Sequence, residues 1–256
     1  MKVVLFKSFL LGLLVMHAGI VEAQNKGIII SENLATNSVP LKVKMGTQWM
    51  GKMWKWKFGE YAVVDSKMGW TKTTSESNLL NTKTESKTTN KFAFTLGNKS
   101  GDLANVNAAT DIEVKVLQET ELFSFLIIGE NEILLNSDNF TAIININQDT
   151  TETWSLFMNV TTGSTVEDSG YALLTNGTRK IFINSVSSIR NEYDTQMLPA
   201  LGFEFLENEE PLCAVQYFGG GAFGMKKNIV WIHDKLDSRM KLILAAAMTS
   251  LLQLNN

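Results

Sequence analysis

Apolar and polar residues alternate in short runs through most of the chain, and one stretch near the C-terminus breaks the habit. Leu41-Lys42-Val43-Lys44-Met45 alternates strictly, as a strand with one wet face does. In Met53–Phe58 the side chains of Trp54, Trp56 and Phe58 share a face, and Tyr61–Asp65 follows after Gly59. Further strand runs are Phe92–Leu96, Ile112–Leu117, Phe123–Ile128, Phe140–Ile146, Trp154–Val160, Tyr171–Leu174 and Ile181–Val186. Phe203–Leu206, Leu212–Phe218 and Ile229–His233 complete the set. Asn176-Gly177 between two of these runs is a hairpin signal, because both residues tolerate the left-handed backbone of a tight turn.

The exception runs from Leu236 to Leu254. Leu236, Met240, Ile243, Leu244, Ala247, Leu251 and Leu254 keep helical spacing, and Leu242, Ala245, Ala246 and Leu252 fill the opposite side. A helix apolar all round has to be enclosed by protein or by lipid. Lys241 and Thr249-Ser250 leave roughly 11 uninterrupted apolar residues, well short of the ~20 that cross a bilayer. Protein is therefore the expected enclosure, and the alanines make the helix thin enough to thread a barrel. Asp234 or Asp237 can cap its first turn. The expected fold is all-β with one C-terminal α-helix: a closed or strongly curled antiparallel barrel of about 12 strands around that helix.

The first residues carry a different signal. Lys2 precedes an apolar stretch from Val3 to Met16, and Val21-Glu22-Ala23 fits the small-x-small rule for cleavage. Residues 1–23 read as a signal peptide cut after Ala23, and 24–256 as a single barrel domain of a secreted or periplasmic protein. Losing Lys2, Lys7 and Glu22 from 23 basic and 26 acidic residues leaves 21 and 25, a net charge of −4. That balance excludes a general nucleic-acid binder. Cys213 is the one cysteine, so no intramolecular disulfide forms, and His233 is the one histidine after cleavage. Zinc sites built on several His or Cys are excluded, no Asp-x-Asp-x-Asp-Gly calcium loop is present, and no cofactor is expected.

Candidate chemistry is sparse. Cys213 and His233 fall on adjacent expected strands, but Leu212-Cys213-Ala214-Val215 is apolar and reads as a buried small side chain. Gly219-Gly220-Gly221-Ala222-Phe223-Gly224 precedes a strand rather than a helix, so it reads as a hairpin loop and not a phosphate cradle. Glu207-Asn208-Glu209-Glu210 reads as a solvated turn, and the polar segment 71–90 as a loop or polar hairpin. Asn98, Asn139, Asn159 and Asn176 open Asn-x-Ser/Thr triplets at about the frequency chance gives in so Asn- and Thr-rich a chain. The one surface candidate is an interleaving of tryptophan and lysine from Lys42 to Trp70. Within it Trp49, Trp54, Lys55, Trp56 and Lys57 suit a membrane interface or sugar stacking, with core packing of Trp54 and Trp56 as the competing expectation.

Ile229-Val230-Trp231-Ile232-His233, then Leu236-Asp237-Ser238-Arg239-Met240-Lys241-Leu242-Ile243-Leu244-Ala245-Ala246-Ala247-Met248, resembles the end of the tubby-like superfamily, which includes LURP-one-related proteins and phospholipid scramblases. The resemblance covers the last strand and helix and, upstream, Glu60–Asp65. It implies a helix-filled barrel and an association with membrane lipids. An exported, acidic chain departs from the intracellular, basic phosphoinositide binders of that superfamily, so no ligand-binding residue is carried over. The leading functional expectation is a non-enzymatic protein that binds or scaffolds at a lipid or envelope surface. A secreted hydrolase acting on glycans or esters is the second reading, and a lipocalin-like carrier with an open lumen the third.

Overall fold

The structure is a computed structural model that describes residues 27–69, 72–77, 84–114, 137–147, 149–160, 172–191, 193–194, 196, 198–221 and 227–256. The expected signal peptide and the expected strand Phe123–Ile128 lie outside the described residues. In chain order the elements are α1 (Glu32–Thr36), β1 (Leu41–Lys42), β2 (Lys44–Met45), β3 (Trp56–Phe58), β4 (Tyr61–Met68), β5 (Lys72–Ser77), β6 (Thr84–Gly97) and β7 (Leu103–Val114). β8 (Ser137–Ile146), β9 (Asp149–Val160), β10 (Ala172–Thr175), β11 (Lys180–Ser187), β12 (Leu201–Glu207), β13 (Glu210–Phe218), β14 (Ile229–Ile232) and α2 (Ser238–Leu254) follow.

All pairings are antiparallel, in the order β1-β14-β13-β12-β11-β10-β9-β8-β7-β6-β4-β3-β2, with β5 paired to β6 beside that path. The nearly closed barrel thus has 13 strands along its path, against the 12 or so expected. One segment makes the seam. Leu41 and Lys42 pair with β14, while Lys44 and Met45 pair with β3. Between them the Val43 amide donates to the Asn228 carbonyl at 3.0 Å, and beyond them the Gly46 amide donates to the Lys55 carbonyl at 2.9 Å. The strict alternation of Leu41–Met45 therefore belongs to two short strands of one continuous segment, the first covering the β14 edge and the second the β3 edge.

The inward face is Phe94, Val106, Phe140, Ile144, Trp154, Leu156, Leu174, Ile181 and Phe205, all buried. Against it lies α2, buried without a break from Leu242 to Leu252. It touches β6, β7, β8, β13 and β14, strands from different sides of the wall. Asp237 is its cap, accepting from the Met240 amide at 2.8 Å. The two polar residues of its buried part are satisfied within the helix: Thr249 Oγ1 donates to the Ala245 carbonyl at 2.8 Å and Ser250 Oγ to that of Ala246 at 3.0 Å. At the N-terminal end of α2, Arg239 reaches Glu152 at 2.9 Å and Asp149 at 3.4 Å, fixing the helix to the start of β9.

One expectation was incomplete, and one feature was not foreseen. β7 begins at Leu103, nine residues before the expected Ile112, because its inward side chains Ala104 and Ala108 are small and Asn105 and Asn107 stand outward. Hydrophobicity is weak there although the alternation is regular. The chain before β1 also packs on the outside of the barrel, where Ile28 and Leu34 with Ala200 and Ala214 form a second small core flanked by Ile30, Val186 and Trp231. Of the polar segment 71–90, expected as a loop or a polar hairpin, the described residues form β5 and the first half of β6, paired antiparallel.

Candidate functional site

The tryptophan–lysine region is divided by the barrel wall. Trp56 begins β3 facing the lumen, 1% exposed, and its Nε1 donates to Gln253 Oε1 of α2 at 3.3 Å. Trp54 is half-buried and packs on the main core. These two are held by packing and by the helix. Lys55 and Lys57 point outward and are exposed, and Trp49 is 72% exposed. Trp70 lies outside the described residues.

Local chemistry explains why Trp49 is presented. The chain between β2 and β3 turns at Trp49–Lys52, where the Lys52 amide donates to the Trp49 carbonyl at 2.9 Å and Gly51 takes a φ of +75°. The Met68 amide, at the end of β4, donates to the Gly51 carbonyl at 2.8 Å, and Lys52 Nζ meets Asp65 Oδ1 at 2.8 Å. The Lys52 hydrogen bond, with a smaller contribution from the Ser66 amide, holds the Asp65 carboxyl below its ordinary value. Both partners are solvated, so the pair orients the turn more than it stabilises it. The result is a pinned turn with Trp49 and a fully exposed Met50 at its tip, flanked by Lys52 and Lys55. A hollow of about 200 Å³ opens beneath it, lined by Thr47, Trp49, Met53, Lys55 and Asp65 among others. Of the five residues expected to bind ligand, Lys55, Lys57 and Trp49 are exposed, Trp54 is so in part, and Trp56 faces the lumen. Met50 was not anticipated; a lone methionine carries no signal until the turn exposes it.

The other candidates resolve into structural roles. Cys213 pairs with Ile232, which sets His233 on the opposite face of β14. Burial, and less strongly the Glu204 carboxylate, pushes the Cys213 thiol well up, so it stays protonated and unreactive. His233 Nδ1 accepts from the Lys235 amide at 3.2 Å. Gly219 and Gly220 both have positive φ in the turn after β13, and a side chain at Gly219 would meet the Pro199 carbonyl at 2.5 Å. Glu207 is not a solvated turn residue: it pairs with Arg179 through contacts of 2.7 and 2.6 Å, and Arg179 lies over the Trp154 ring at 5.6 Å. Among the described residues no group of three or more His, Cys, Asp or Glu could hold a metal, and no helix of the described chain is long and apolar enough to cross a membrane.

No family model, curated protein or solved structure matches the chain.

Proposed function

We propose that this is an exported, non-catalytic barrel protein that attaches to a lipid or envelope surface through the Trp49–Met50 turn. One observation carries the reading: an aromatic and a thioether side chain stand exposed together at the tip of a pinned turn, with the exposed Lys52 and Lys55 following it in the chain. Indole partitions to the bilayer interface, and lysines beside it are attracted to anionic headgroups by about 1 kcal/mol each. Leu244 and Ala247, both fully buried, put α2 where a carrier would hold its ligand, which favours binding at the surface over the carrier reading. The resemblance to the tubby-like superfamily agrees with the helix-filled barrel and adds the association with lipid to the proposal.

Co-sedimentation with vesicles tests this directly. Phosphatidylglycerol vesicles are expected to retain the protein and phosphatidylcholine vesicles to retain far less, with retention falling as salt rises. Trp49→Ser with Met50→Ser is expected to weaken retention about tenfold without changing the melting temperature. Retention unaffected by the double substitution would sink the proposal. Export is tested by sequencing the N-terminus of protein taken from its native envelope or medium, expected to begin at Gln24.

A further inference from the structure

The second core on the outside of the barrel does more than cover the sheet. It leaves a cleft of about 440 Å³ between the chain before β1 and the strands β1 and β14, within the range of small-ligand pockets. Its apolar walls include Ile29, Ile30 and Trp231, and three cations, Lys42, Arg190 and Lys227, line it as well. No acidic side chain lines the cleft, and none of the three cations makes an ion pair among the described residues. Asp194, four residues after Arg190, is engaged elsewhere: its carboxylate accepts from the Arg190 backbone amide at 3.4 Å and from Gln196 at 3.0 Å.

The cleft is held open by buried polar side chains. Gln216, fully buried, accepts from the Ile28 amide at 3.0 Å and donates to the carbonyls of Gly219 at 3.1 Å and Lys227 at 2.7 Å. One amide side chain therefore ties together three segments that border the cleft. Glu204, 6% exposed, accepts from the Ser31 amide at 2.8 Å and from its hydroxyl at 2.9 Å, fixing the far end of the same segment. Gly202 lets that segment approach: a Cβ there would meet Ile28 Cδ1 at 2.8 Å and the Val215 carbonyl at 2.3 Å. Preorganised walls lower the ordering cost of binding.

Three cations without an ion pair among the described residues, beside an isoleucine and indole wall, fit one class of ligand, and we infer that the cleft binds an anionic amphiphile, its carboxylate or phosphate held by Arg190, Lys227 and Lys42 and its hydrocarbon laid against Ile29, Ile30 and Trp231. Arg190 can take either anion through two parallel hydrogen bonds. The site is separate from the Trp49 turn and does not depend on its role. The head group can come from a free fatty acid or from a phospholipid in a bilayer.

Titration calorimetry of the mature protein with laurate below its micellar concentration is expected to give saturable binding with one site. Arg190→Gln with Lys227→Gln is expected to weaken it by about tenfold or more at unchanged melting temperature, and dodecanol to bind at least about tenfold more weakly than laurate. Loss of phosphatidylglycerol vesicle binding in that double variant, with no laurate binding by the parent protein, supports the bilayer source; loss of laurate binding supports the free acid. Trp49→Ser leaves the laurate affinity unchanged, so failure of one site is distinguishable from failure of the other. Laurate bound equally well by the double variant, dodecanol bound as tightly as laurate, or neither laurate nor vesicles bound by the parent protein would overturn the assignment.

Discussion

The barrel wall separates two cores of opposite construction. Inside, α2 is surrounded by apolar side chains, and its two buried hydroxyls bond to their own helix. Outside, four buried apolar residues suffice only because Gln216 and Glu204 reach out to the chain 188 and 173 residues earlier. The inner core is held by area, which is nondirectional and tolerant of small shifts. The outer one is held by a few directional hydrogen bonds that fix where the covering segment lies. A layer of the first kind makes a fold, and a layer of the second kind shapes a cleft.

The sharpest way to break the inner core is Ala246→Arg. Ala246 has no exposed surface and its neighbours in the lumen are apolar, so the guanidinium would be buried without a partner. A loss beyond about 4 kcal/mol is expected, enough to prevent folding, and circular dichroism with gel filtration reads it. A soluble variant with an unchanged melting temperature would show that α2 is not enclosed. By contrast, Ser250→Ala removes only a local bond to the Ala246 carbonyl and is expected to change stability by less than about 1 kcal/mol.

The outer core is broken by Gln216→Leu. The leucine fills the space but leaves the Ile28 amide and the carbonyls of Gly219 and Lys227 without their partner, a cost of about 2–3 kcal/mol. The comparison predicts where the loss falls. Amide exchange is expected to quicken at Ile28 and Ser31 while the amides of β8 and β9 stay protected. Equal loss of protection in both layers would mean that the two cores form one cooperative unit.

This contrast also accounts for what the sequence made legible. The helix and the lumen it fills could be read because an all-apolar 3.6-residue pattern admits few environments, while its cap was narrowed only to Asp234 or Asp237 before the Met240 amide picked out Asp237. The strands of the wall were readable wherever inward residues are large, as in Phe140–Ile146, and hidden where they are alanine, as at the start of β7. The seam was half visible: the alternation of Leu41–Met45 marked a strand, but nothing local says that it bonds to β14 on one side and β3 on the other. The cleft was invisible. Its cations lie at positions 42, 190 and 227, and the two side chains that build it look like ordinary polar residues until their distant partners are known. Likewise Trp49 and Trp56 carry the same signal, and only the turn at Gly51 and the pairing of β3 put one outside and one within.

Arg179 and Glu207 join β11 to β12 at an end of the wall and respond to pH. The Arg179 hydrogen bonds lower the Glu207 carboxyl relative to its ordinary 4.5, and burial opposes this only in part. Because the folded value lies below the unfolded one, the contribution is complete above about pH 4.5 and fades as pH falls through the folded value. Arg179 is 40% exposed, so solvent screening limits the pair to about 1 kcal/mol. Glu207→Gln is expected to lower stability by that amount at pH 7 and to flatten this part of the acid limb in urea titrations. An acid limb identical to that of the parent protein would remove the pair from the wall's stability.

The smallest expected effect concerns the turn between β12 and β13, the two strands that carry Glu204 and Gln216 on one face and Phe205 and Val215 on the other. Asn208 and Glu209 occupy it with φ of 51° and 69°, between the paired Glu207 and Glu210. Asparagine tolerates this left-handed backbone; glutamate is strained there by about 1–2 kcal/mol. Glu209→Gly relieves that strain but adds about 0.5–1 kcal/mol of backbone entropy to lose, leaving a net gain near 0.5 kcal/mol. The melting temperature is expected to rise by about 1–2 °C. Since the substitution acts on the shared wall, exchange limited by global unfolding slows throughout β8 and β9. If the outer layer opens on its own, exchange at Ile28 and Ser31 stays at the parental rate, and a slowing there by the same factor would merge the two cores into one.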